Sequence, residues 1–192
     1  MDLKPLQAAL GVNADGIFGP VSFTALFVKC GASIEIAEEL ALSANVHFER
    51  YGILQNGLRL AHFMAQLIHE SDHLRAMEEY ASGADYEGRK DLGNTRAGDG
   101  RRFKGRGPIQ LTGRANYRTY GKRLGFDFER HPEIVAVPSV GLLVALEYWA
   151  VTHLNDHADR DDIEAVTRRI NGGTNGLADR KRDLARLKEW MA

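Results

Sequence analysis

The sequence predicts a mainly α-helical fold, and three observations lead to this prediction. Apolar residues recur at helical spacing over most of the chain, most clearly in a stripe formed by Leu60, Phe63, Met64, Leu67 and Ile68. One stretch, residues 81–113, breaks this periodicity with glycines and alternating charges. The 192 residues are 44% hydrophobic and 27% charged, which is typical of a globular chain and excludes disordered and collagen-like classes.

Each helix is predicted from its own pattern. Residues 1–30 indicate two short helices that are joined by a turn. Apolar spacing returns after Ser33, and the strongest stripe predicts a helix over about 56–72. Further helical patterns cover 115–124, 140–153, 161–170 and 177–191. We expect any β-structure only within the glycine-rich stretch, whose length is typical of a functional loop.

Charge and cysteine content exclude several classes of function. Lys and Arg number 25 against 26 Asp and Glu, so no overall basic field exists to hold nucleic acid or an anionic membrane. The single cysteine excludes an internal disulfide and a thiolate metal site. The first residues lack the pattern of a signal peptide, and no run of about 18 apolar residues occurs. We expect a cytoplasmic monomer without nucleic-acid partner or stable membrane insertion.

His69, Glu70 and His73 fit the pattern H-E-x-x-H of zinc peptidases, in which two imidazoles on one helical face bind the metal. The pattern is short, and the acidic residues that could supply a third ligand lie in no recognisable metallopeptidase context. The alternative interpretation is a histidine pair at a helix end that hydrogen-bonds to its neighbours. We favour that alternative and predict no metal site.

Glu70 is a candidate general acid. It continues the apolar stripe of Leu60, Phe63 and Leu67, so its carboxyl group should face the interior or the wall of a cleft. An ionised carboxylate is costly against apolar surface, which favours the protonated form that a general acid needs near neutral pH. A local salt bridge or helix cap is the structural alternative.

Glu79 is the candidate partner of Glu70, provided that the helix ends between them. Nine residues of continuous helix would turn the chain by about 900° and carry Glu79 about 13 Å further along, on the opposite face. If the helix ends near Asp72 and the chain folds back, the two carboxylates can face one substrate, as glycoside hydrolysis requires. Without further context, Glu78 and Glu79 more often belong to a solvated charge run.

The glycine-rich stretch and its continuation carry two further patterns. Residues 98–108 lack the Gly-Lys-Ser/Thr ending of a phosphate loop, and nearby carboxylates dilute their basic residues, so neither nucleotide nor nucleic-acid binding is expected. Gln110, Thr112 and Asn116 are neutral hydrogen-bonding residues that suit sugar hydroxyls and acetamides. Such residues are just as often caps at a loop-to-helix junction.

Residues 105–117, Gly-Arg-Gly-Pro-Ile-Gln-Leu-Thr-Gly-Arg-Ala-Asn-Tyr, resemble a signature of glycoside hydrolase family 19. His-Glu-Ser at 69–71 and Ile-Asn-Gly-Gly at 170–173 match the same family in the right order, and the likeness covers about 45–190. The segment 80–106 is similar to that of short phage and prophage endolysins rather than of plant chitinases. The resemblance implies a lysozyme-like, two-lobed helical fold in which the glycine-rich loop lines the cleft.

The resemblance also implies a role for individual residues. Glu70 would be the general acid and Glu79 the general base, while Thr112 would hold the attacking water. The implied substrate-binding residues are Gln110, Asn116, Tyr117, Asn171 and Arg180, and the arginine is associated with the catalytic carboxylates in the family. Some members carry a glutamate where this chain has Asn175, so the charge network around the base is expected to differ. No cofactor or metal is implied.

Residues 1–32 contain Leu-Gln-Ala-Ala-Leu-Gly at 6–11 and Asp-Gly-Ile-Phe-Gly-Pro at 15–20, and on these motifs they resemble about half of a peptidoglycan-binding module. The resemblance divides the chain into this segment and a catalytic domain over 33–192. So few residues can hardly form a core of their own. Two interpretations stay open. The segment either binds the wall independently, or it packs on the catalytic domain and contributes burial through Ile17, Phe18, Phe23 and Leu26.

These features predict an inverting, metal-independent endolysin that hydrolyses the glycan strand of bacterial peptidoglycan and lyses the host cell. It would accumulate in the host cytoplasm and reach the wall with the help of a holin-type permeabilising partner. A chitinase of the same family is the neighbouring alternative. Two alternatives come from other classes: a zinc peptidase that uses His69, Glu70 and His73, and a catalytically inactive wall-binding protein.

Overall fold

The computed structural model describes residues 1–192 and consists of ten α-helices with their connections. The helices are α1 (Lys4–Leu10), α2 (Pro20–Lys29), α3 (Ile34–His47), α4 (Gly57–Glu70), α5 (Asp99–Arg102), α6 (Arg114–Leu124), α7 (Pro138–Val151), α8 (Leu154–Ala158), α9 (Ile163–Asn171) and α10 (Leu177–Trp190). Short 3-10 helices cover Ala84–Tyr86, Lys90–Leu92 and Pro132–Ala136. The only β-pairing is a set of isolated bridges within 78–111. The mainly α prediction is confirmed, and no helix has both the length and the apolar character that a membrane span needs.

Helix boundaries follow local sequence signals. The Asn56 side chain caps α4 by accepting a hydrogen bond of 2.9 Å from the Arg59 amide, and Asp162 caps α9 in the same way. Proline occupies the first turn of α1, α2 and α7, where no helical partner exists for the missing amide. The sequence did not predict α5 and α8, because 4 and 5 residues are too few to show a repeat.

Helix α4 is the centre of the fold. Its residues Leu60 through Ile68 are all buried, so the helix has no solvent-facing side over this run. Helices α8, α9 and α10 contact it directly, while α2, α3 and α7 form an adjoining layer. Glu70 is the last residue of α4, so the packing of this helix against its neighbours fixes the position of the Glu70 backbone.

An unbroken row of edge-to-face aromatic contacts joins the N-terminal helices to the rest of the core. The ring centroids of Phe23 and Phe48 are 5.3 Å apart, those of Phe48 and Phe63 are 5.5 Å apart, and those of Phe63 and Trp149 are 5.2 Å apart. Perpendicular pairs at this distance are favourable because the edge of one ring is positive and the face of the other is negative. Residues 1–32 thus share one continuous core with residues 33–192.

The N-terminal segment divides into a buried and an exposed side. Phe23 and Leu26 are buried, and Phe18 packs against Phe23 with centroids 4.9 Å apart, as expected for packing on the catalytic domain. The expectation that Ile17 adds to this burial is wrong, because its side chain is 76% exposed. Ile17 and Phe18 lie in the connection before α2, and of the two only Phe18 packs against the core.

Buried polar contacts order the glycine-rich stretch. The Arg114 guanidinium forms ion pairs with Asp99, through Nε at 2.9 Å, and with Glu129, through Nη1 at 2.7 Å. The Asn94 side chain accepts from the Arg114 amide at 2.9 Å. Hydrogen bonds from Arg114 hold the pKa of Asp99 down to about 2, and those from Arg118 and Arg114 lower the pKa of Glu129 to about 2 as well. The stretch is irregular but firmly attached to α6.

The shared core gives a first prediction. Phe23→Ala should lower the free energy of unfolding by about 3–5 kcal/mol, because it opens a cavity in the aromatic row. Ile17→Ala, in the same segment but at an exposed site, should change it by less than about 0.5 kcal/mol. Urea unfolding followed by both far-UV and tryptophan signals measures the difference. Two separate transitions in the wild-type protein would show that residues 1–32 unfold apart and would contradict the shared core.

The Arg114 cluster gives a second prediction, on pH. Asp99 has a lower pKa folded than unfolded, so its contribution is complete above about pH 4 and is lost as pH falls through about 2. Asp99→Asn should cost about 2 kcal/mol at pH 7, and the difference from wild type should shrink towards zero near pH 2.

Urea unfolding at several pH values measures this shrinkage. Asp91→Asn removes an exposed pair with Arg89 and serves as the control that should change stability little. A cost for Asp99→Asn that stays constant from pH 7 down to 2 would show that packing, not charge, makes the contribution.

Candidate active site

A left-handed turn follows directly after Glu70 and reverses the chain. Asp72, His73 and Leu74 have φ values of 47°, 59° and 64°, a conformation that costs a side-chain-bearing residue roughly 1–2 kcal/mol. The Ser71 hydroxyl donates to the Leu67 carbonyl at 2.6 Å and accepts from the Leu74 amide at 3.1 Å. Leu74 is fully buried beneath the turn. The helix therefore ends where the facing-carboxylate hypothesis requires it to end.

Glu70 and Glu79 line the same cleft, which has a volume of about 410 Å³. Its walls are formed by residues of α4, the reversed segment, the 105–111 loop and the first turns of α10. Both carboxyl groups are half-buried. The backbone arrangement thus meets both conditions for two carboxylates to act on one substrate, while a carboxyl separation of about 6.5–9.5 Å for an inverting pair stays a prediction.

A buried arginine holds Glu70. The Nη2 group of Arg180 donates to Oε1 of Glu70 at 2.5 Å, and the Arg180 side chain is only 1% exposed. The other end of the guanidinium donates to the side chain of Gln66, one turn earlier in α4. The surroundings of Glu70 therefore contain a positive charge, whereas its place on the apolar stripe led us to expect hydrocarbon. The bond to Gln66 holds the guanidinium in place, and the bond to Oε1 fixes the direction of the Glu70 carboxyl group.

Two neutral donors hold Glu79. The Tyr86 hydroxyl donates to Oε1 at 3.0 Å, and the Gly105 amide donates to Oε2 at 3.0 Å. Burial and the hydrogen bond to Glu79 raise the pKa of Tyr86, so its hydroxyl remains a donor at neutral pH. A Cβ atom at position 105 would lie 3.2 Å from Oε2 of Glu79 and 2.7 Å from the side-chain oxygen of Gln110. A side chain at position 105 would therefore displace the Gln110 amide and press on the Glu79 carboxyl group, whereas glycine leaves both in place.

The polar residues after Gly105 continue the cleft into a neighbouring hollow. Gln110 lines the carboxylate cleft and also this hollow, which Thr112, Asn116, Tyr120 and Tyr148 line with apolar neighbours. The Thr112 hydroxyl donates to the Gln110 carbonyl at 2.9 Å, so its oxygen lone pairs are free to accept from a water. The structure brings Glu70, Glu79, Gln110, Thr112 and Asn116 along one continuous surface.

The side chains of the remaining residues of the implied set bond to other parts of the protein. Tyr117 is fully buried and donates from its hydroxyl to the Lys104 carbonyl at 2.7 Å. We therefore correct its substrate-binding role to support of the loop. Arg180, also buried, orients Glu70 instead of facing a ligand. The Asn171 side chain closes its own loop, donating to the Asn175 carbonyl at 2.9 Å and accepting from the Gly173 amide at 2.9 Å.

The two histidines do not form the face that the zinc alternative needs. His69 lies in the last turn of α4, but His73 lies in the left-handed turn beyond its end. Burial and the charge of Arg180 lower the pKa of His69, whose ring lies against the backbone of Gly176. His73 is half-exposed and lies 3.6 Å from Asp72. The histidine pair of the H-E-x-x-H pattern therefore occupies two different backbone conformations.

Sequence reasoning missed three residues that hold the carboxylates. Tyr86 lies in the irregular stretch, where no periodicity marks a residue as inward-facing. Gln66 lies four residues before Glu70 on α4, which is a detectable signal, since positions i and i+4 share a face. Gly105 belongs to the recognised signature, yet only the structure shows that its amide donates to Glu79.

Comparison with known proteins agrees with this architecture. The family profile of glycoside hydrolase family 19, described as chitinase class I, matches residues 55–172. A Haemophilus influenzae protein described as a glycosyl hydrolase family 19 domain-containing protein is 43% identical over 96 residues, which is 50% of this chain and 46% of that protein. An Arabidopsis thaliana endochitinase is 31% identical over 181 residues, which is 88% of this chain and 62% of that protein.

Solved structures match over nearly the whole chain. Chitinase C from Streptomyces griseus has a TM-score of 0.71 at 20% identity, with 91% of this chain and 94% of that chain covered. The class IV chitinase from Zea mays has a TM-score of 0.63 at 19% identity, with 91% and 92% covered. These likenesses show the lysozyme-like helical fold, while the chain spans only 46% and 62% of the two relatives compared by sequence. The profile match over most of the chain and the identity to the endochitinase show that this chain belongs to glycoside hydrolase family 19.

Proposed function

We propose that this protein hydrolyses glycosidic bonds in an aminosugar polymer by an inverting mechanism with two carboxylates. The observation that carries the proposal is the presence of Glu70 and Glu79 in one cleft, on the two sides of a chain reversal. Inverting hydrolysis needs one carboxyl group to protonate the leaving oxygen and a second to activate water on the opposite face of the sugar. Family membership supports this reaction class.

Glu70 acts as the general acid in this proposal. Arg180 contacts only Oε1, so Oε2 is available to carry a proton towards the glycosidic oxygen. After proton transfer the Glu70 carboxylate is left with a buried guanidinium beside it, which stabilises the new negative charge. The pair with Gln66 prevents the guanidinium from following the carboxyl group into the cleft.

Glu79 acts as the general base. Tyr86 and the Gly105 amide orient its carboxylate without adding a net positive charge, so the group remains a proton acceptor. A water that donates one hydrogen to Glu79 and the other to the Thr112 oxygen would have its lone pair aimed at the anomeric carbon. As the carbon–oxygen bond forms, Glu79 takes the water proton and the leaving sugar takes the proton of Glu70.

For the substrate we propose the glycan strand of bacterial peptidoglycan. In this proposal the protein is a lytic enzyme that reaches the wall after a partner has permeabilised the membrane. The similarity of segment 80–106 to short endolysins supports this choice. Chitin is the second candidate, and it is supported by the endochitinase from Arabidopsis thaliana. Both polymers present acetamido sugars, for which the neutral donors and acceptors along Gln110, Thr112 and Asn116 are suited.

Digestion of purified peptidoglycan and of chitin, with mass analysis of the new ends, tests the proposal. New reducing sugars from peptidoglycan are the expected result, and the identity of the terminal sugar names the bond. Proton NMR of the first product should show inverted anomeric configuration. New reducing ends from chitin alone would favour the chitinase, and new amino groups without reducing ends would overturn the glycosidase.

Glu70→Gln should lower the turnover number at least about 100-fold, because it removes the proton donor and keeps the shape. The free energy of unfolding should also fall, since buried Arg180 loses its counterion. Steady-state kinetics on the folded variant measures the effect. Glu164→Gln makes the same chemical change in an exposed pair with Arg168 and should leave turnover unchanged. Retention of more than about a tenth of the wild-type rate by Glu70→Gln would contradict the assignment.

Thr112 gives a test of water positioning. Thr112→Ser keeps the hydroxyl and should retain most activity, whereas Thr112→Val keeps the shape and should lose at least about tenfold in turnover. Thr119→Val makes the same change on the exposed side of α6 and serves as the control. Equal turnover in the serine and valine variants would assign Thr112 to packing.

A further inference from the structure

The turn between the two carboxylates is in contact with a residue from the N-terminal segment. Gly31 lies in the short connection between α2 and α3, with a φ of 115° that L side chains rarely adopt. A Cβ atom on Gly31 would lie 2.8 Å from Cβ of His73 and 2.8 Å from its carbonyl oxygen. His73 is the middle residue of the left-handed turn, so backbone meets backbone at this point.

This contact is tight on both sides. The Gly31 amide donates to the Val28 carbonyl at 2.9 Å, and the following Ala32 amide donates to the Phe27 carbonyl at 3.1 Å. Phe27 and Cys30 are buried in the shared core, so the connection cannot move without disturbing the N-terminal helices. On the other side, the His73 amide donates to the Ile68 carbonyl of α4 at 2.7 Å.

The position of the left-handed turn determines where both carboxylates lie. Glu70 stands immediately before it, and the chain after it is fastened to the loop that holds Glu79. The Gln110 side chain donates to the Ala76 carbonyl at 3.2 Å, and the Gly107 amide donates to the Met77 carbonyl at 2.8 Å. A displacement at His73 would therefore change the position of Glu70 relative to Glu79.

We propose that Gly31 is a positioning residue of the active site, which holds the left-handed turn against α4 and so maintains the distance between the two carboxylates. The inference rests on the proposed function. It gives residues 1–32 a part in turnover that is separate from wall binding. Because a displacement of about 1 Å can lower a rate about 100-fold, the effect on turnover should exceed the effect on substrate affinity.

The test compares Gly31→Ala with Gly11→Ala in the full chain. Both glycines belong to the N-terminal segment and have positive φ, but a Cβ atom on Gly11 would meet nothing within 4 Å. We expect Gly31→Ala to lower kcat at least about tenfold while KM changes less than about threefold, and Gly11→Ala to leave both near wild type. Equal kcat in the two folded variants would overturn the proposal.

A second variant tests the contact itself and covers the case in which Gly31→Ala does not fold. The double variant Gly31→Ala/His73→Gly removes the His73 Cβ atom, one of the two atoms that the new methyl group would strike. It also gives position 73 the backbone freedom to move the other one, the carbonyl oxygen, aside. Measured against His73→Gly alone, it should lose less than about threefold in kcat. A loss of tenfold or more in that comparison, with unchanged amide exchange at Leu74 and Ala76, would show that the methyl group acts elsewhere and would overturn the contact.

Amide hydrogen exchange separates this inference from the proposed function, since it needs no substrate. The Leu74 and Ala76 amides, both bonded to Ser71, should exchange at least about tenfold faster in Gly31→Ala than in Gly11→Ala. Unchanged exchange there would overturn the positioning role even if the enzyme is active. Faster exchange in a protein that cleaves neither polymer would leave the contact supported and the proposed function refuted.

Discussion

The reversal of the chain after Glu70 is the constraint on which the rest of the structure depends. Two carboxylates nine positions apart cannot serve one substrate from a continuous helix, because they would lie on opposite faces. Three successive left-handed residues solve this geometric problem but are unfavourable in themselves. Such a conformation persists only when several independent contacts with the surrounding structure hold it. Ser71 bonds the turn from α4, Leu74 anchors it in the core, and Gly31 closes it from outside.

The same reversal lets the two carboxylates have different surroundings. Glu70 remains attached to the end of α4 and meets Arg180, which approaches from α10 through the interior. Glu79 lies on the far side of the turn and meets a phenol and a backbone amide from the glycine-rich stretch. A charged donor on one carboxylate and neutral donors on the other give two chemically equal groups different surroundings, and the proposed mechanism assigns them different roles on this basis. Because the turn lies between them, the two carboxyl groups accept hydrogen bonds from different kinds of donor.

The sequence predicts the long helices and the candidate carboxylates, but not the groups that hold them. Periodicity locates α4 to within two residues at its C-terminal end, because its apolar residues recur at helical spacing as far as Ile68. It places Glu70 on an inward face without revealing that Arg180, 110 positions later, occupies the space opposite. The two tyrosines show the same limit. The sequence does not reveal that Tyr86 bonds to Glu79, or that Tyr117 bonds to the Lys104 carbonyl. Pairings between distant segments arise from tertiary packing, and local patterns do not encode them.

The N-terminal segment, too small to fold alone, shares the core of the chain and contacts the left-handed turn. Its inward side supplies Phe23 to the aromatic row and brings Gly31 against the left-handed turn at His73. Its outward side leaves Ile17 and Val21 more than 70% exposed, so any contact with another molecule would use residues that the core does not need. The buried and the exposed apolar side chains therefore lie on opposite sides of the segment. The likeness to a binding module is compatible with a structural role in the shared core. The core uses buried side chains such as Phe23, whereas binding would use exposed ones such as Ile17 and Val21.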